Sequence, residues 1–339
     1  MDLTYNYNEI EKRLSRINFN ILWPSFSKYK FALYNDTSVC LDKKIIDKTN
    51  EFIANTSIIY NNEYIAIWKL TENTDLDILT SKIVHEMFHA FQQENKETRF
   101  PNEFISVLNY KYFSENLNVK AKENEILISL LDNYSFELYE EFLKLKKYRI
   151  LNFPFEFDYE AKVEVIEGAA QFVELMVLKQ LDIMKYENLL DNLKNNIVNV
   201  NNLIPVRIIS YDIGALFLLL LNQNNIKLDF SINKESYLEM IIKDCTYSEE
   251  IKVEDKTNKL IEKDLIYLDN LIRNGTTNYK NKIVGEFEIL GFNVYSARYH
   301  QGYLYTEYFL MYKDEKEIIL YGNFLVKLNN YIIKEIYTL

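Results

Sequence analysis

Residues 80 to 95 read TSKIVHEMFHAFQQEN, and this stretch holds His85 and His89, two of only three histidines in 339 residues, with Glu86 directly after the first. On a helix, positions four apart lie one above the other, so two imidazoles at this spacing can bind one small tetrahedral cation. Glu86 is then rotated about 100° from His85, which sets its carboxylate beside the ion rather than on it. A carboxylate so placed can take a proton from a metal-activated water and pass it to a leaving amine. The alternative is that both histidines are satisfied polar groups on a half-buried helix, with Glu86 solvated. Composition alone would generate H-E-x-x-H in on the order of one to three sequences of this length per thousand, which favours the metal site.

Such a site needs a third protein ligand, and His300 lies far off in a strand-like region. Residues 157 to 181, FDYEAKVEVIEGAAQFVELMVLKQL, place Glu160, Glu164, Glu167, Gln171 and Glu174 in one stripe at helical spacing between apolar flanks. A carboxylate stripe set among apolar residues calls for a cation. Gly168, Ala169 and Ala170 would let a neighbouring helix come close, so Glu167 is the first choice of ligand and Glu164 the second.

His85, Glu86 and His89, followed by E-G-A-A-Q-F-V-E at 167 to 174, resemble the gluzincins, metallopeptidases whose HExxH motif is completed by a downstream glutamate. The resemblance implies Zn2+ held by His85, His89 and Glu167, with Glu86 as general base. It also implies that Gln171 hydrogen-bonds a ligand histidine, a place often filled by an acidic residue. S-Y-D-I-G-A-L-F-L at 210 to 218 is similar to the S-Y-x-K-G-A segment of aminopeptidase N-like members, which implies that Tyr211 donates to the tetrahedral oxyanion. The lysine of that segment is Ile213 here, and the G-x-M-E-N strand that holds a free N-terminus is missing, which points away from an exopeptidase. The expected activity is zinc-dependent peptide-bond hydrolysis by an endopeptidase or a narrow-specificity peptidase acting on a peptide or protein. A non-catalytic zincin-like metal-binding interaction module is the alternative. Resemblance spans roughly residues 60 to 225.

The elements that must position these residues are partly visible. Asp77 three positions after Thr74 forms a capping-box signal, and the apolar period over Leu76, Leu79, Ile83, Met87 and Phe91 predicts a helix over 75–94. Before it, KYKFALY, TSIIY and EYIAIWKL predict a small sheet over 28–70 with a hairpin at Asn61 and Asn62, and the resemblance to zincins implies that strand 63–70 is the edge on which a substrate peptide is laid. Residues 74–270 read as mostly helical, including stretches 121–147, 157–181 and 208–223. Five of seven glycines fall after residue 274, where VGEFEILGF, YLYTEYFLMY, EIILYGNFLV and YIIKEIYTL predict an antiparallel meander. The expected class is α+β: a zincin-like domain at 1–275, with its small mixed sheet and helix-rich part, and a small antiparallel β domain at 276–339.

Composition narrows the partners. A net charge of −11, from 50 acidic against 39 basic residues, with no lysine run interleaved with aromatics, argues against nucleic acid. The N-terminus lacks a signal-peptide pattern, and the apolar run Ile213 to Leu221 is too short to cross a bilayer, so no membrane association and a cytoplasmic location are expected. Cys40 and Cys245 are read as reduced thiols. His300, beside Arg298 and Tyr299, is read as structural, with substrate contact as the alternative.

Overall fold

In the computed structural model residues 2–71, 75–227, 242 and 251–339 are described. Asp2 accepts a hydrogen bond from the Tyr5 amide and opens helix α1 (Leu3–Leu14), which buries Leu3, Tyr7, Ile10 and Leu14 at helical spacing. The sheet was expected to come first. The helix before it buries a tyrosine on its inner stripe, and that residue type blurs a hydrophobic period.

Strands β1 (Lys30–Tyr34), β2 (Ser38–Leu41), β3 (Lys44–Asp47), β4 (Thr56–Tyr60) and β5 (Glu63–Lys69) form a mixed sheet in the order β3-β2-β1-β5-β4. The predicted hairpin joins β4 to β5, with Asn61 and Asn62 at φ +50° and +64°, the left-handed pair that a two-residue turn requires. Strand 63–70 is not the edge, however. β1 pairs with β5 in parallel, Phe31 opposite Ala66, and uses the backbone groups an edge would leave open; β4 is the edge strand instead.

Helix α2 (Leu76–Glu94) follows the sheet. Its N-cap is Asp75, whose carboxylate accepts from the amides of Asp77 and Ile78; Thr74 lies outside the described residues. Ile83, Val84, Met87 and Phe88 sink into the main core, leaving His85, Glu86 and His89 along its margin. The rest of the helical part is α3 (Glu103–Asn109), α4 (Ser114–Asp132), α5 (Phe136–Asn152), α6 (Pro154–Val163), a π-helical turn (Glu164–Gly168), α7 (Ala169–Leu181), α8 (Ile183–Val198), α9 (Val206–Gln223) and α10 (Asn258–Thr277). Stretch 121–147 is two helices, parted where the Ser135 hydroxyl caps α5 by accepting from the Leu138 amide. By length and composition α9 is apolar enough to cross a bilayer; 78% of it is buried inside the bundle. Cys40 is a free thiol buried in β2, and Cys245 lies outside the described residues.

The second sheet is antiparallel and holds β6 (Asn281–Phe292), β7 (Arg298–His300), β8 (Tyr303–Thr306), β9 (Phe309–Lys313), β10 (Glu317–Tyr321), β11 (Phe324–Asn329) and β12 (Ile332–Thr338). Its order, β10-β9-β6-β12-β11-β8-β7, is not the expected meander. Tyr308 at φ +67° and Gly322 at +136° break two of the predicted strands into pairs, and β6 then lies between β9 and β12. The class is α+β, with a mixed sheet, a helical bundle and a separate antiparallel sheet. Gly275 is inside α10, where an added Cβ would meet Leu325 Cδ2 at 2.8 Å, so this glycine serves close packing of helix on sheet.

Candidate metal centre

The π-helical turn at Glu164–Gly168 sets the site's geometry. It inserts a wider turn into the continuous rod from α6 to α7, a device often found at functional sites. The glutamate stripe is thereby divided: Glu160 and Glu164 turn toward α4 and α5, while Glu167 and Glu174 face the histidines of α2. Glycine makes a second approach possible. A Cβ on Gly168 would stand 2.6 Å from Gly214 Cα, and one on Gly214 would stand 2.6 Å from the Glu164 carbonyl oxygen, so α9 crosses the π turn backbone against backbone. That crossing delivers Arg207 and Tyr211 to Glu167.

Nε2 of His85 lies 3.2 Å from Nε2 of His89, and Oε2 of Glu167 lies 3.3 Å from His89 Nε2 and 3.9 Å from His85 Nε2. Donors bonded at about 2.0–2.1 Å in a tetrahedral arrangement stand about 3.3–3.4 Å apart, so the triangle is sized for such an ion. Glu164, the second choice, is elsewhere: its carboxylate is 3.9 Å from Lys120 and 4.0 Å from Lys146.

The partners of the histidines fix which nitrogens offer lone pairs. Gln92 donates its amide N–H to the Ile166 carbonyl at 3.0 Å, which turns its oxygen to His89 Nδ1 at 2.8 Å. Nδ1 of His89 therefore carries the proton and Nε2 is an acceptor. Glu174 Oε2 lies 3.2 Å from His85 Nδ1, too poorly aligned for a well-formed hydrogen bond, yet a carboxylate there selects the same tautomer. Gln171 was expected in this supporting role. It makes no hydrogen bond to either ring, because the division of the stripe aims Glu174 at His85 in its stead.

Electrostatics give the same reading. Burial disfavours charge on His85, but Glu167 and Glu174 outweigh it and raise the ring to about 10. Burial also opposes charge on His89, and Glu167 again overcomes it. Burial works against the Glu167 carboxylate too, yet His89, His85 and Arg207 hold it well below the ordinary range. Two protonated rings cannot meet with Nε2 atoms 3.2 Å apart, whereas one cation between two neutral rings would satisfy this shared demand for positive charge. The donor set of two imidazoles and one carboxylate fits Zn2+.

Glu86 is nearly enclosed beside the triangle, where burial pushes its carboxyl up and His85 and His89 pull it down. Arg207 ties the remaining pieces together. It donates to Glu167 Oε1 at 3.0 Å, to Glu103 Oε1 at 3.0 Å and to the Tyr211 hydroxyl. Tyr211 is held well above the ordinary phenol range by burial and then by Glu167, against the pull of Arg207. The structure thus brings together His85, Glu86, His89, Glu167 and Tyr211. It sets His300 apart on β7, with Nε2 3.0 Å from Asp269.

Arg207, Gln92 and Glu103 were not singled out from the sequence. Helical spacing is the signal for two of them: Arg207 is one turn before Tyr211, and Gln92 is one turn after His89. Glu103 comes from α3 and has no such signal. Comparison of the chain with family models, curated proteins and solved structures gives no match.

Proposed function

We propose that this chain is a zinc-dependent peptide hydrolase of gluzincin type, an endopeptidase or a narrow-specificity peptidase. His85, His89 and Glu167 hold Zn2+, and Glu86 is the general base. The observation that supports this reading most strongly is the convergence of two lone-pair nitrogens and one carboxylate oxygen within 4.8 Å of one another, with a second carboxylate alongside.

Held by His85, His89 and Glu167, Zn2+ would supply Lewis acidity toward the scissile carbonyl and the attacking water. Glu86, pushed up by burial, takes a proton from the attacking water and returns it to the leaving amine. Arg207 engages Glu167 Oε1, which leaves Oε2 for the ion. The Tyr211 hydroxyl accepts from Arg207 and donates to Glu167; turned from Glu167 to the oxygen that gains charge, it contributes about 3 kcal/mol in a site shielded from water. The open edge of β4 offers main-chain groups to an extended peptide.

The test compares the purified full chain with Glu86→Gln. Metal analysis is expected to find one zinc per chain in both, while mass spectrometry of a peptide pool shows cleavage by the unchanged protein and turnover about 10²–10⁴-fold lower in the variant. Equal turnover would contradict the base assignment. A zinc-loaded unchanged protein that leaves every peptide intact would favour the interaction module.

A further inference from the structure

Arg207 does more than hold Glu167. Its side chain also lines a cavity of about 310 Å3 enclosed by the end of α3, the first turn of α9, helix α10, and the segment joining β6 to β7. The Arg207 side chain therefore links this cavity to the Glu167 carboxylate, on the oxygen that does not face the histidines. The volume lies at the lower end of ligand pockets, roughly 300–1,000 Å3, and suits one side chain rather than a whole small molecule.

The charges in the walls are already paired: Arg207 with Glu103 and Glu167, Arg298 with Asp264 at 2.7 Å, and His300 with Asp269 at 3.0 Å. Lys111 also lines the cavity but is exposed at its rim. The hydroxyls of Tyr110 and Tyr159 are committed to Glu160 and Glu103, which leaves their rings as the surface they offer. Val206, Leu265 and Leu268 complete an apolar lining. A charged guest would lose its hydration to walls whose inner charges are already paired, whereas an aromatic or large aliphatic group would stack on rings and bury area.

The segment joining β6 to β7 contributes Val294 and Ala297 to the wall. Between them is Tyr295, whose phenol is raised by burial first and then by Asp212, with Arg207 and Glu167 also acting on it. This part of the second sheet thus reaches into the field of the metal centre.

We infer that the cavity is the specificity pocket of the proposed peptidase, taking one aromatic or large aliphatic side chain of the peptide beside the scissile bond. The inference rests on the hydrolase reading for the bond that is cut, but not for the binding. Leu265 is 44% exposed, so Leu265→Trp adds an indole over the cavity at little cost to folding; Val107→Trp narrows it from α3.

The experiment uses the full zinc-loaded chain and capped peptides that differ at one position among Phe, Leu, Ala, Asp and Lys. Cleavage is expected beside Phe or Leu with at least a tenfold preference in kcat/KM over Ala, and either Trp variant should abolish that preference without changing zinc content. Preferred cleavage beside Asp or Lys, or a preference untouched in both folded variants, overturns the pocket and leaves the hydrolase reading standing. Fluorescence anisotropy of the same labelled peptides on Glu86→Gln, with and without Leu265→Trp, separates the two claims. If the unchanged protein cuts no peptide, the hydrolase reading falls. The pocket then stands only if Phe and Leu peptides bind more tightly than Ala and lose that advantage in the Trp variant; equal binding overturns it.

Discussion

Glu167 differs from its neighbouring glutamates in where its two oxygens go, one to Arg207 and the other to the paired histidines. Glu164 is three residues earlier but faces Lys120 and Lys146, and burial pushes its carboxyl up toward the neutral form. Glu167→Ala should therefore strip the protein of zinc under mild dialysis, while Glu164→Gln, which mimics a neutral carboxyl, should keep it; zinc retained by the first and lost by the second would reverse the ligand assignment. At this scale much was legible in the sequence. HExxH on a periodic helix located His85, Glu86 and His89, and the small residues after Glu167 favoured it over Glu164. The hydrogen-bonding partners were less legible: Gln92 and Arg207 are reached by side-chain reach across turns and helices, and Gln171 was misplaced because an ideal helix has no wider turn within it.

Helices α6 and α7 with the π turn act as one element that serves two different neighbours. On its far side, Glu160 accepts from Lys120 at 2.6 Å and Arg149 at 2.5 Å, all three essentially without solvent contact. Burial raises the Glu160 carboxyl, but Arg149 and Lys120 overcome it and hold it down to about 2. A carboxyl lowered on folding stabilises the fold above its unfolded value near 4.5, and that contribution fades as pH falls toward 2. Glu160→Gln should cost about 3–5 kcal/mol at neutral pH by leaving two buried cations undercompensated, and the difference from the unchanged protein should shrink in urea unfolding series run from pH 5 downward. On the near side, Gly214 has no room for a side chain. Gly214→Ala should lower stability by about 1–3 kcal/mol and weaken zinc binding, since α9 must retreat from the turn that carries Glu167. A Gly214→Ala protein as stable as the original would contradict the close crossing. The sequence showed the glutamate period and the glycine but not the turn that divides the period, since π-helical insertion depends on the packing of α2 and α9 from either side.

Across the whole molecule, the second sheet is joined to the helical part by more than sequence. Phe104, Val107 and Leu108 of α3 pack against its core, Gly275 fits α10 onto β11, and Arg298 of β7 pairs with Asp264 of α10. The change in glycine usage late in the chain was read as a boundary, and a strand-rich end was legible from alternation. The strand order was not, because single residues at positive φ decide it. The proposed function turns on one ion that groups from α2 and from the turn before α7 could hold. Zinc K-edge X-ray absorption on the purified full chain tests this most directly. Two imidazole nitrogens and a carboxylate oxygen at about 2.0–2.2 Å are expected, with the oxygen contribution reduced in Glu167→Ala. No bound zinc, or a shell dominated by sulfur at about 2.3 Å, would contradict it.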